Sequence, residues 1–321
     1  MCLAITGQQV FILDLRKDFK MKRKGIYVIL ASLVITIGSC NKRLDDFLFN
    51  GDNTIDAYYL DNYSGPVSVE LGTEFFVPPH MIHQFNYTIF SEGESLDIAA
   101  IYTGDTASIS TDTVILYCHG NRDHMDFYWP RQRIYSNLGE LGRFGVLMFD
   151  YPGFGLSEGK STEQNMYDAA NGALRWLRDK GLTSDRLIVY GFSLGSAPTC
   201  RIAAGGFELT PNKMILEAPF ASSEVMVQDA ALIAMPASFL VNVKIDNAEQ
   251  VKKANAPLLW LHGVNDDFLA MDTHGEVVYK NHAGAYKRAE RVSGGGHETV
   301  PTFMGLENYS QRILDFILES D

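Results

Sequence analysis

Ser193 stands between two glycines, in Tyr190-Gly191-Phe192-Ser193-Leu194-Gly195, where an apolar run gives way to a helical pattern. A serine hydroxyl is a weak nucleophile until a neighbouring base takes its proton. The G-x-S-x-G spacing suits that chemistry. A sharp turn lifts the hydroxyl above the end of a strand and onto a helix N-terminus, whose positive end favours an oxyanion. Glycines are required at 191 and 195 because a β-carbon there would strike neighbouring backbone. The alternative is a structural glycine turn with an idle serine. A base and an acid must come from elsewhere in the chain. His262, His274, His282 and His297 are available as bases, and Asp266, Asp267 and Glu217 as acids. His297 alone sits in a glycine-rich loop, Gly294 to Gly296, after a late strand; His274 and His282 lie in a polar helical stretch and read as surface residues. Asp123 and His124 read as residues at the mouth of a site. Without Cys or an H-x-x-x-H spacing, the histidines and aspartates of that loop are weak evidence for a metal.

The elements that must carry these residues follow from short apolar runs without alternation, which suit strands covered on both faces. Val67 to Leu71, Phe85 to Phe90 and Leu96 to Ile101 are the expected opening strands. Thr113 to Tyr117, Gly145 to Asp150, Arg186 to Tyr190, Lys213 to Leu216 and Pro257 to Leu261 follow. Helical spacing is clearest over Thr162 to Lys180, and also marks Leu194 to Ala204 and Leu306 to Leu318. Strands alternating with helices predict an α/β protein with a mostly parallel central sheet and helices on both faces.

Four further segments carry a resemblance. His119-Gly120-Asn121 follows a strand, and Asp150-Tyr151-Pro152-Gly153-Phe154-Gly155-Leu156-Ser157-Glu158-Gly159 has the form D-x-x-G-x-G-x-S-x-G. His262-Gly263-Val264-Asn265-Asp266 has the form H-G-x-x-D, and Gly294-Gly295-Gly296-His297 ends in G-x-G-H. Together with the Ser193 turn, they make residues 67 to 319 resemble the α/β-hydrolase superfamily. The resemblance implies Ser193 as nucleophile, Asp266 as triad acid and His297 as base, in the order usual for the fold. It implies an oxyanion hole from the backbone N–H groups of Leu194 and Asn121, and a structural role for the Asp150 turn and for His119. No cofactor and no metal are expected. The stretch of about 221 to 250 leaves the alternating pattern and matches the position of a small cap. Its apolar residues, among them Met226, Val227, Leu232, Ile233, Phe239 and Leu240, either face substrate or pack on the core. The elbow and the H-G-N turn look most like the small-cap branch that includes monoacylglycerol lipase-like and depalmitoylase-like enzymes.

The N-terminal region has a different character. Met21-Lys22-Arg23-Lys24 is basic, Ile26 to Ile37 is a 12-residue run without charge, and Gly38-Ser39-Cys40 follows. These are the parts of a secretory signal. Ile37-Gly38-Ser39-Cys40 resembles a bacterial lipobox, which makes Cys40 the expected lipidation site; a short uncleaved anchor is the alternative. Residues 1–20 carry Asp14 and Asp18 ahead of the basic run, so Met21 is the expected initiator, to be checked by N-terminal peptide mapping. Residues 21–39 then read as a signal peptide, 40–65 as a tether, and 66–321 as the hydrolase domain. Asn41 after the cysteine favours the outer over the inner membrane of an envelope. The chain of 321 residues has a net charge of −12, and loss of residues 1–39 makes it −16. Such acidity excludes nucleic acid as a partner, since phosphate binding needs clustered Lys and Arg. Cys118 and Cys200 sit in apolar contexts and read as small core residues rather than a disulfide.

The leading expectation is a serine hydrolase for a small-molecule acyl ester or thioester, held at a membrane by its lipid. A peptidase or amidase shares the same triad. A catalytically inactive binding protein on the same fold is the alternative from another class.

Overall fold

In the computed structural model, residues 48–231 and 243–319 are described, all within one compact unit spanning Arg43–Asp321. The expected signal segment, Cys40 and cap residues 232–242 lie outside them. Ten strands are present among the described residues: β1 (Asn50–Gly51), β2 (Ile82–Ser91), β3 (Glu94–Thr103), β4 (Val114–Cys118), β5 (Arg122–Asp123), β6 (Gly145–Phe149), β7 (Leu187–Phe192), β8 (Lys213–Glu217), β9 (Leu258–Gly263) and β10 (Lys287–Val292). Eight of them form one sheet in the order β10-β9-β8-β7-β4-β6-β3-β2. The pairs from β10 across to β6 are parallel, whereas β2, β3 and β6 pair antiparallel.

Both faces of the sheet are covered. Along β4, Val114, Leu116 and Cys118 enter one buried cluster and Ile115 and Tyr117 the other. The first cluster takes Met166, Ala169, Ala173, Leu174 and Leu177 from the helix Glu163–Asp179, and Ala197 and Cys200 from the helix Ser196–Ala203. The second takes Phe127, Trp129, Ile134 and Tyr135 from the helix Met125–Ser136, and Ile313, Phe316 and Ile317 from the helix Leu306–Leu318. Continuous apolar strands between two helical layers are the outcome that the period of two along a doubly covered strand dictates. Thr162 caps the helix Glu163–Asp179 through its side-chain oxygen, which accepts the Asn165 N–H at 3.1 Å.

Several expectations need correction. Val67 to Leu71 is no strand; Ser68 N–H donates instead to the Phe127 carbonyl at 2.9 Å, which ties the segment to a helix rather than to the sheet. The stretch Leu194 to Ala204 is a 3-10 turn, Ser193–Gly195, followed by an α-helix over Ser196–Ala203. Within the segment read as a tether, β1 pairs with β5 in parallel, and the N–H groups of Tyr59 and Leu60 donate to the Asp126 carboxylate at 3.0 and 2.7 Å. The folded body therefore extends back at least to Leu48, which is buried. Cys118 and Cys200 are free and buried, and burial pushes the Cys118 thiol up to about 12.

Candidate active site

The site lies at the carboxyl ends of β4, β7, β9 and β10, where an open α/β sheet offers its loops to a ligand. Strand β7 ends in the Ser193 turn. Ser193 itself has φ +52°, a left-handed conformation that a non-glycine residue adopts only when its surroundings force it. The turn can be this tight because a β-carbon on Gly195 would run into the Cys118 carbonyl oxygen and one on Gly191 into that of Gly195.

Ser193, His297 and Asp266 come together from three loops. Asp266 Oδ2 lies 2.8 Å from His297 Nδ1, and His297 Nε2 lies 2.9 Å from Ser193 Oγ. A carboxylate only accepts, so Nδ1 carries the hydrogen and Nε2 is left to accept from the serine hydroxyl. The loops that carry Asp266 and His297 are in direct backbone contact. Asn265 N–H donates to the Gly295 carbonyl at 2.8 Å, and a β-carbon on Gly263 would collide with that same carbonyl. The His297 ring is flanked by Phe192 and Phe268, with ring centroids 5.4 and 5.0 Å away.

Asp266 is held by more than His297. Its Oδ1 accepts the N–H groups of Phe268 and Leu269 at 3.0 and 2.8 Å. His262 Nε2 lies 3.2 Å from its Oδ2 and 3.0 Å from the Leu269 carbonyl, both acceptors, so that nitrogen donates. Burial works against the charge. The hydrogen bonds from His262 and His297, with that of Leu269, overcome it and hold the carboxyl well below the usual carboxylate range. Asp267 is exposed and lines the cleft. Glu217 is fully buried against Arg131 at 2.8 Å and cannot serve as the acid.

His119 and Asp150 are both buried and pair with each other at 3.0 Å. The other Asp150 oxygen accepts the Tyr58 hydroxyl at 2.6 Å, and Ser157 Oγ donates to the Asp150 carbonyl at 2.7 Å. The D-x-x-G-x-G-x-S turn is thus structural in its contacts. Neither Asp123 nor His124 reaches the cleft: Asp123 is in β5, and His124 is buried at the start of the helix Met125–Ser136. Among the described residues, no group of His, Cys, Asp and Glu is arranged to hold a metal. His274 and His282 are not surface residues. Both are buried, and burial first of all pushes each imidazole down to about 4.

A cleft of about 610 Å³ opens on Ser193 and His297. Its walls come from Asn50, Asn121, Tyr128, Phe192 and Phe268, with Arg122 and Glu298 among the polar residues. The described cap residues contribute nothing to them. Met226 and Val227, on the helix Ser223–Ala231, are buried in the first core cluster. The Asn50 N–H donates to the Asn121 side-chain oxygen at 2.6 Å, so the N-terminal strap reaches the turn expected to bind the oxyanion. Asn50, Tyr128 and Phe268 belong to no motif, so residue spacing gives no sign of them.

Comparison with known proteins agrees with this architecture. A family model described as "Chlamydia CHLPS protein (DUF818)" matches residues 98–204. The chain is 28% identical over 209 residues to the protein named "Uncharacterized protein YfhR" of Escherichia coli K12, covering 64% of this chain and 70% of that one. It is 27% identical over 210 residues to the human "Alpha/beta hydrolase domain-containing protein 17C", covering 65% of this chain but only 59% of that protein. Among solved structures it is similar to the esterase Pf2001 of Pyrococcus furiosus, with a TM-score of 0.59, 16% identity, and coverage of 84% of this chain and 98% of the other. The chain has the α/β-hydrolase fold.

Proposed function

We propose that this α/β-hydrolase chain is a serine hydrolase that cleaves a carboxylic ester or thioester through an acyl-enzyme on Ser193. The observation that carries the reading is the hydrogen-bonded order Ser193 Oγ, His297 Nε2 at 2.9 Å, and Asp266 Oδ2 2.8 Å from Nδ1. His297 takes the serine proton as Oγ attacks the acyl carbon, then returns it to the leaving oxygen or sulfur. A water, activated by the same imidazole, then releases the acid. Asp266 fixes the tautomer and stabilises the imidazolium as it forms. The N–H groups of Leu194 and Asn121 are assigned to the tetrahedral oxyanion, where one such donor is worth about 3 kcal/mol. The aromatic walls of the cleft suit an uncharged acyl ester, and a volume of about 610 Å³ suits a small molecule or part of a lipid. The relatives named as hydrolases and the fold neighbour named as an esterase support the same class.

The proposal includes anchoring of the protein to a bacterial envelope membrane by lipid on Cys40, on the strength of the basic run, the apolar run and the lipobox-like segment. A fluorophosphonate probe tests the chemistry, because only an activated serine reacts with it. Wild type is expected to label and Ser193→Ala not to. Equal labelling of both, or labelling of neither, would remove Ser193 from the mechanism.

A further inference from the structure

We propose that Arg131, together with its buried partner Glu217, is a positioning residue that sets where His297 stands relative to Ser193. The inference rests on the serine-hydrolase reading above. Arg131 lies on the helix Met125–Ser136 with its side chain fully buried. Its guanidinium touches the immediate neighbours of both the base and the nucleophile. Nη2 donates to the carbonyl of Glu298, the residue after His297, at 3.1 Å. Cζ sits 4.2 Å from the ring centroid of Phe192, the residue before Ser193, and that ring in turn flanks His297. Nη1 donates to Glu217 Oε1 at 2.8 Å. The other Glu217 oxygen accepts the hydroxyls of Tyr190 and of Tyr309, the latter at 2.7 Å. Tyr190 stands on β7 two residues ahead of Phe192, so the network grips that strand from both sides of the guanidinium.

An ion pair this deep is not explained by stability, since an apolar replacement of equal volume often serves as well or better. What arginine offers is direction. Its planar fork presents several donors at fixed angles and a flat face for an aromatic ring. The base loop needs that direction, because three successive glycines, Gly294 to Gly296, give its backbone little stiffness of its own. On the far side of His297, the loop has the Arg131 bond and a half-exposed pair of Arg122 with Glu298 at 3.3 Å. Of these two, the Arg131 bond is the more covered, because its donor side chain is fully buried while the Arg122 side chain is half exposed.

Two variants separate positioning from bulk stability. Arg131→Lys keeps a charge beside Glu217 but has one point donor group, which cannot serve Glu217 and the Glu298 carbonyl in the same plane. Arg131→Met combined with Glu217→Gln removes both charges while filling the space and leaving an acceptor for the tyrosine hydroxyls. Each is measured with p-nitrophenyl butyrate, with fluorophosphonate labelling and by thermal melting. The expected result is a kcat lower by roughly 10- to 100-fold, the scale of a misplacement near 1 Å, in variants that melt as folded proteins. KM is expected to move by less than about threefold, because the cleft that binds the ester is retained. The labelling rate should fall in step with kcat. Wild-type kcat in either folded variant would overturn the inference while leaving the hydrolase reading intact. A wild-type protein that neither labels nor turns over the ester would overturn both.

Discussion

Replacing Asp266 by asparagine tests the acid assignment at the level of single protons. The carboxylate accepts from four donors: the N–H groups of Phe268 and Leu269 on Oδ1, and His297 Nδ1 and His262 Nε2 at Oδ2. An asparagine amide presents one acceptor and one donor edge. The two backbone N–H groups cannot change character, so they hold the amide oxygen at the Oδ1 position and turn the NH2 toward His297. His297 then meets a donor, and its hydrogen moves from Nδ1 to Nε2. The nitrogen beside Ser193 Oγ becomes a donor and can no longer take the serine proton. A tautomer error of this kind costs about 10⁴ in kcat, or about 5.4 kcal/mol of barrier. Folding should suffer less, by about 1–3 kcal/mol, because the lost partner is a hydrogen bond in a site that keeps its shape. Stability should also change its dependence on acid. The wild-type carboxyl is held below its ordinary 3.8, so its contribution is present above that value and is lost as pH falls through the folded-state value. The variant lacks that loss. The assay is kcat/KM on p-nitrophenyl butyrate beside melting curves at neutral and strongly acidic pH, with Asp267→Asn as the control, since that side chain is exposed. Activity within about tenfold of wild type in Asp266→Asn, or an equal loss in Asp267→Asn, would refute the reasoning.

His297→Ala should lose nearly as much kcat/KM as Ser193→Ala, because the two act as a unit; activity close to wild type in His297→Ala would contradict a histidine base. The two buried imidazoles set a separate effect on stability. His274 and His282 are pushed from 6.5 down to about 4, so their share of stability is full above 6.5 and declines as pH falls toward 4; His274→Gln should flatten the melting temperature across that window, and an unchanged slope would mean that His274 takes up its proton at the same pH in the folded protein as in the unfolded chain. Cys40→Ser should move the protein from membrane to soluble fractions, and unchanged association would favour an uncleaved anchor. In a p-nitrophenyl series from acetate to palmitate, kcat/KM should first rise and then level off: four methylenes at ~0.8 kcal/mol each allow a gain on the order of 100-fold, and a fall from acetate onward would mean that the aromatic cleft holds no acyl chain.

The parts of this fold that sequence makes legible are those whose burial is uniform. Strands β4, β6, β7, β8 and β9 are buried at every position, and an unbroken apolar run announces such a strand whatever its neighbours are. The helices Glu163–Asp179 and Leu306–Leu318 show a clean apolar stripe because one side of each faces water. The helix Met125–Ser136 carries no such stripe. It is buried nearly all round and spends Asp126, Arg131 and Gln132 on internal hydrogen bonds, so its polar residues look like a solvent face that does not exist. Strand β10 fails the opposite test. At the sheet edge it tolerates Lys287, Arg288, Glu290 and Arg291, and no apolar run marks it. His274 and His282 mislead for the same reason as the buried helix, because a polar side chain is read as exposed until its partners are known. Ala221 N–H donates to His274 Nδ1 at 3.1 Å, a bond between segments 53 residues apart.

The candidate site was legible through its glycines more than through its reactive groups. Serines, aspartates and histidines occur throughout the chain, but a glycine where two backbones must touch is a geometric demand. Gly195 against the Cys118 carbonyl and Gly263 against that of Gly295 are such demands, and each sits within a few residues of a group that the site brings together. What lines the cleft leaves no comparable mark. Tyr128, Phe192 and Phe268 belong to three different elements, and any of them could have been an ordinary core aromatic. Asn50 is the sharpest case. It reaches the cleft through a two-residue pairing of β1 with β5 and one hydrogen bond to Asn121, contacts whose partners lie 72 and 71 residues away along the chain. A polar, glycine-containing segment gives no local reason to be ordered, so it reads as a tether. Its order comes from the carboxylates of Asp126 and Asp150 that receive Tyr59, Leu60 and Tyr58. Those aspartates are themselves buried by the strap they hold, and neither half of that arrangement is visible without the other.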